Sequence, residues 1–274
     1  MVKNKPNDKK TIVILHPDAE ALLTEIKKLR AELSALVLQK DQLLHHEIRN
    51  ILTRYQLTFG SLHFQSYELE CDILRLRRKL SLFQTAINRQ ERINIHEIEM
   101  LLDKEFAFYR QKLTTMIQQM NDALERSRMP LLSEQDTAEL KKLYRAIVKA
   151  IHPDLHPDLS AEWRELFHHA TDAYELGDLA AMQTIKSLLS GSSLLEKQPE
   201  TLPFLHKEND RLERLILLTK EQIEELMTTF PYTMKDLLND PVQIAEQKNA
   251  IEESISQLRK LKNEYIHQIE VIMR

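Results

Sequence analysis

Residues 144–174 read YRAIVKAIHPDLHPDLSAEWRELFHHATDAY, and the reading of this stretch decides the fold. Take the residues from Leu140 as a helix turning about 100° per residue. Leu140, Leu143, Tyr144, Ile147 and Ile151 then share one arc, while Lys141, Lys142, Arg145 and Lys149 share the opposite one. Pro153 has no N–H and disfavours helix at His152, so the helix stops there. His152, Pro153 and Asp154 are then presented on a loop at the end of a basic face. Ser160 and Glu162 suit the start of a second helix, with Trp163, Leu166, Phe167, Ala170, Ala173 and Tyr174 along one side. Gly177-Asp178 ends it and opens a short third helix over Leu179 to Leu189. The pattern predicts an antiparallel helical hairpin whose core contains Tyr144, Ile147, Phe167, Ala173 and Tyr174.

Outward from this module the chain is helical in composition. It has 274 residues, 42% of them hydrophobic, and only 3 glycines punctuate it. Leu, Glu, Lys, Gln and Ile dominate, and few alternating β-branched runs compete with them. The expected class is all-α: long coiled-coil helical hairpins flanking the small hairpin. Residues 1–17 read as a flexible leader and residues 18–129 as a long coiled-coil hairpin. Residues 130–190 form the small module, 191–203 a Ser/Gly/Pro linker, and 204–274 a second antiparallel hairpin.

In the first long hairpin, Ile26, Leu29, Leu33, Leu36 and Leu43 follow a three-four spacing broken at Lys40. Two readings of Gly60-Ser61 are open. Glycine can end the first helix and serine cap a second over residues 62–128, or one kinked rod can pass through Gly60. Leu69, Ile73, Leu76, Leu80, Phe83 and Ile87 form the later stripe, which Met129-Pro130 ends. In the last third, Leu212, Ile216, Thr219, Ile223, Leu226 and Phe230 lead to a connection between Pro231 and Pro241. Ile244, Ile251, Ile255, Leu258, Tyr265, Ile269 and Ile272 continue the spacing. Such stripes need partners, within the chain or in a second copy.

The module resembles the J-domain of DnaJ-type co-chaperones. Tyr144-Arg145 precede His152-Pro153-Asp154 at the family's spacing, Lys141-Lys142 match its upstream basic pair, and Phe167 with Ala173-Tyr174 matches F-x5-AY. The resemblance implies a DnaK-type heat-shock ATPase as partner. Lys141, Lys142, Arg145 and Lys149 would steer it, and His152, Pro153 and Asp154 would trigger ATP hydrolysis. The catalytic chemistry would belong to the partner, so no enzyme activity is expected of this chain. The arrangement looks bacterial. The family's first helix is not recognisable before Leu140, and Ala146 and Ala150 stand where it has lysines. These departures support a second reading, a structural coiled-coil scaffold whose hairpin only packs.

Other chemistries find little footing. His16-Pro17-Asp18 lacks a preceding basic helix, and His156-Pro157-Asp158 lies four residues too far from Tyr144, so both read as local structure. Prolines after His152 and His156 break metal-ligand spacing on a helix, and no phosphate loop or nucleophile motif occurs, so neither metal nor cofactor is expected. A formal charge of −4, with six Lys/Arg against ten Asp/Glu in residues 131–190, argues against nucleic acid. Arg75, Arg77, Arg78 and Lys79 form a second basic cluster, read as a solvated flank. The single Cys71 reads as a half-buried helix residue and fits a reducing compartment. The Ile12–Leu15 run is too short for a signal peptide, and no apolar run nears the ~20 residues of a membrane span. The chain therefore reads as cytoplasmic.

Overall fold

The computed structural model describes residues 17–128, 132–190 and 201–273. Among these residues the regular structure is all helical. In chain order the α-helices are α1 (Pro17–Gln42), α2 (Arg49–Asn88), α3 (Ile95–Glu105), α4 (Ala107–Arg128), α5 (Glu134–Ile151) and α6 (Ala161–Leu176). They continue with α7 (Leu179–Ser190), α8 (Leu202–Thr228), α9 (Lys235–Asn239) and α10 (Pro241–Met273). A π-helical turn, Leu43–Ile48, follows α1, and a 3₁₀ turn, Tyr232–Met234, precedes α9. No helix among the described residues is long and apolar enough to cross a membrane.

The chain divides into two compact units, and the divisions fall inside the expected hairpins. Residues 17–45, 132–190 and 201–226 form one unit, and residues 46–128 and 227–273 the other. In the first unit, α5, α6 and α7 pack together, and α1 and α8 complete the core. Ile26, Leu29, Leu33 and Val37 of α1 join Leu140, Tyr144, Ile147, Val148 and Ile151 of α5. Leu205, Leu212 and Ile216 of α8 enter the same cluster, with Phe167, Ala170, Ala173, Tyr174 and Met182. Arg30 pairs with Glu208, Lys220 with Glu32 and Lys40 with Gln222, so α1 and α8 run parallel. The apolar stripe of α1 is therefore covered by helices more than ninety residues away, not by the next helix of its own hairpin.

In the second unit α2 is the axial element. Its Gly60, Tyr67 and Asn50 meet Met120, Tyr109 and Arg126 of α4 in antiparallel order. On α10, Arg259 and Lys262 reach Gln65 and Asp72 in parallel order. Ile51, Phe59 and Leu69 of α2 share a core with Leu238, Ile251 and Ile255, and further along Leu80 and Phe83 meet Ile269.

Four expectations are corrected. Gly60 makes no turn; of the two readings the rod through Gly60 holds there, since α2 passes through it. The reversal comes instead at residues 89–94, where Gln90 adopts a positive φ of 56° and the Asn94 side chain accepts from the amide of Glu97 to cap α3. A second break at Phe106 separates α3 from α4, so residues 62–128 are not one helix. The hairpin at 204–274 does not form as one body, since α8 buries its stripe in the first unit and α10 in the second. The linker ends earlier than expected, since Leu202 and Pro203 already belong to α8. The leader through His16, Met129-Pro130 and residues 191–200 lie outside the described residues.

Glycine at 60 serves close packing. A Cβ there would stand 2.8 Å from Gln56 Oε1 and 3.0 Å from Met120 Cγ. Gly60→Leu should therefore lower stability by about 2 kcal/mol through overpacking. Gly60→Ala should cost less, because up to about 1 kcal/mol of helix propensity offsets the shift of two flexible side chains. Urea unfolding of the two variants measures both effects.

Candidate functional site

The site is the end of α5. Ser133 caps its start by accepting from the amide of Asp136 at 3.0 Å, and Glu134 and Asp136 in the first turn complement the helix dipole. The helix ends where Pro153 requires it. His152 leaves helical geometry with φ −68° and ψ 130°. Its carbonyl then accepts from the amides of Leu155 at 3.1 Å and His156 at 2.9 Å, closing a tight turn. Leu155 is buried and anchors that turn in the core.

A turn leaves carbonyls without intrahelical partners, and such groups require donors. Three side chains supply them. His156 Nε2 donates to the Lys149 carbonyl at 2.8 Å. Arg164 Nη2 donates to the Pro157 carbonyl at 3.0 Å. Arg211 Nη1, from α8, donates to the Asp154 carbonyl at 3.0 Å. The second tripeptide thus has a local structural role, and its histidine closes the end of α5.

His152 is not exposed. It is 6% accessible, with its ring edge-on to Phe167 at 4.8 Å between centroids. Its Nδ1 accepts from the amide of Asp154 at 3.0 Å, which places the proton of a neutral ring on Nε2. Burial pushes the imidazole below its usual range; the carboxylates of Asp154 and Asp41 oppose this, and Lys40 and His156 add to it. The 4.0 Å approach of Asp154 Oδ2 to Nδ1 is accordingly no ion pair at neutral pH. Pro153 and Asp154 are partly exposed, with the Asp154 side chain 39% accessible. The sequence reading of an exposed tripeptide holds for its last two residues only. The reason is that ending α5 with an extended residue turns the His152 ring back onto α6.

The cations of α5 lie outside the core. Lys142, Arg145 and Lys149 are exposed and Lys141 is half-buried. Among the described residues no carboxylate forms an ion pair with any of these four. The second basic cluster differs: Arg75 pairs with Glu99 and Asp103, Arg78 with Glu105, and Lys79 with Glu99. Arg75, Arg78 and Lys79 thus join α2 to α3, while Arg77 of the same cluster is exposed, as a solvated flank would have it. Cys71 is buried, and burial pushes its thiol up.

Tyr144, Ile147, Phe167, Ala173 and Tyr174 all lie in the core of the first unit. Tyr144 and Tyr174 stack face to face at 4.0 Å. The Tyr144 hydroxyl donates to Asp41 of α1 at 2.8 Å, where the carboxylate is only 6% accessible. Burial and that carboxylate push the Tyr144 hydroxyl far above its usual range, so it stays a donor. His45 and Glu175 pair beside this contact. Sequence reading missed Asp41, Glu208 and Arg211. Each sits in a charged helical run, and only Asp41, inside an apolar stripe, left a signal.

Among the described residues no group of three or more His, Cys, Asp or Glu is placed to hold a metal ion. No protein-family model matches the chain, and neither a curated protein nor a solved structure matches it significantly.

Two consequences are measurable. Tyr144→Phe removes the donor to a buried carboxylate at nearly unchanged volume, and should cost about 2 kcal/mol in urea unfolding. His152 gives a pH signature. The unfolded chain takes up its proton near pH ~6.5, while the folded ring resists until lower pH. The stability it contributes is therefore full above that pH and is lost as pH falls. Wild type should lose more stability than His152→Gln between pH 7.5 and 5.5, with His63, also lowered by burial, common to both.

Proposed function

We propose that this chain is a J-domain-like co-chaperone that docks a DnaK-type ATPase on α5 and the adjoining loop. One observation carries the reading. Among the described residues, exposed cations without ion-pair partners lead into a turn that presents Pro153 and Asp154, whereas Arg75, Arg78 and Lys79 of the second basic cluster are engaged by carboxylates of α3. A row of free cations suits an acidic partner and speeds its encounter. The J-type spacing of Tyr144, Arg145 and His152 supports the same partner class. No family-type first helix precedes the hairpin in sequence, and α1 and α8 cover its apolar face. DnaK-type partners work in the cytoplasm, which is where this reading puts the chain, and a bacterial origin accords with the motif pattern.

Burial of His152 favours a second reading, in which the hairpin is a packing module of a scaffold. The two are separated by choosing a variant that leaves the core alone. Asp154 makes its structural contacts through its backbone, whereas His152 fills the core. Wild type should accelerate single-turnover ATP hydrolysis by a DnaK-type ATPase, and Asp154→Asn should abolish the acceleration at unchanged stability. The affinity should fall as salt rises, and Lys142→Glu with Arg145→Glu should flatten that dependence. Absence of acceleration by wild type overturns the proposal in favour of the scaffold.

A further inference from the structure

The first unit ties its turn to a distant helix through one side chain. Arg211 donates Nε and Nη2 to the two oxygens of Glu208, at 2.7 Å and 3.0 Å. Its Nη1 reaches the Asp154 carbonyl at 3.0 Å. Glu208 is itself 8% accessible and is also held by Arg30 Nη2 of α1 at 2.9 Å. Burial works to raise the Glu208 carboxyl, and the hydrogen bonds of Arg211 and Arg30 more than reverse this, so it remains an anion.

The geometry has a specific chemical sense. A guanidinium is planar, with its donors in a fixed fork. One edge, the Nε–H and one N–H of Nη2, is locked on the carboxylate, which fixes the plane of the group and sets an Nη1 N–H on the backbone carbonyl of Asp154. An ammonium has no such fork and cannot hold a carboxylate bidentately while aiming a third bond. Arg211 is about one-quarter exposed and shares the Glu208 carboxylate with Arg30, so its charge is held within a triad rather than presented on its own.

We propose that Arg211 is a positioning residue for the docking turn, setting the backbone of Asp154 from α8 so that the tripeptide is presented in one shape. This rests on the docking reading above for its functional consequence, though not for its structural one. It extends the site beyond the α5–α6 hairpin to α8 and, through Glu208 and Arg30, to α1. Recognition of the partner then depends on the register of α8 against the turn.

The test uses the full chain with Arg211→Lys and Arg211→Gln. Hydrogen exchange is read at the amides of Leu155 and His156, which close the turn, with Ala170 and Ala173 of α6 as internal controls for folding. Affinity for a DnaK-type ATPase in its ATP state is measured at two salt concentrations. Both variants should exchange about tenfold faster at the turn, as expected for losing a charge-assisted hydrogen bond. Both should bind more weakly with an unchanged salt dependence. Arg211→Lys indistinguishable from wild type in exchange and affinity overturns the proposal, since charge alone would then suffice. If wild type binds no such ATPase, the docking reading falls, and unchanged exchange in both variants separately overturns the positioning role.

Discussion

The first unit is organised by the proline at 153. It removes an amide hydrogen and disfavours helix at the residue before it, and α5 ends at Ile151. Ending a helix there leaves carbonyls without intrahelical partners. His156, Arg164 and Arg211 answer that demand from three directions, one within the turn, one on α6 and one on α8. The same stop turns His152 into the core against Phe167 and leaves Pro153 and Asp154 outside. Backbone chemistry at one residue thus determines both what is buried and what is left at the surface.

The two basic clusters show how context assigns meaning to charge. Arg75, Arg78 and Lys79 face an acidic helix and join α2 to α3. Lys142, Arg145 and Lys149 face outward from a helix whose opposite side is wholly committed to the core. Exposed ion pairs contribute about 0–1 kcal/mol each, so the first cluster adds modestly to stability and chiefly sets register. Among the described residues the second forms no ion pair.

A hairpin of α5 and α6 alone would leave Tyr144, Ile147 and Val148 against little else. The covering helices come from both ends of the sequence. Asp41 meets the Tyr144 hydroxyl, and Arg30 and Glu208 join the two covering helices to each other. A buried carboxylate with a hydroxyl donor is costly to disrupt, because the charge would lose its partner in a place of low dielectric. These polar ties give the apolar cluster a single register, which greasy stripes alone would leave undetermined.

The sequence by itself determined where helices lie and stop around residues 140–190, which faces are apolar, and which cations lie opposite them. Those features follow from local rules: the helical period, proline's missing N–H and glycine's tolerance of positive φ, seen at Gly177 with φ 71°. Tertiary structure alone decided which stripe meets which. A three-four spacing is the same on α1, α2, α8 and α10, so it names a face without naming its partner: α2 and α4 pair as a hairpin, whereas α1, α8 and α10 find partners distant in the chain. It also decided Gly60, where glycine marks close approach of α4 rather than a turn. Arg211 follows the same logic, since a donor for the Asp154 carbonyl is chosen by proximity in space, to which position in the chain gives no clue.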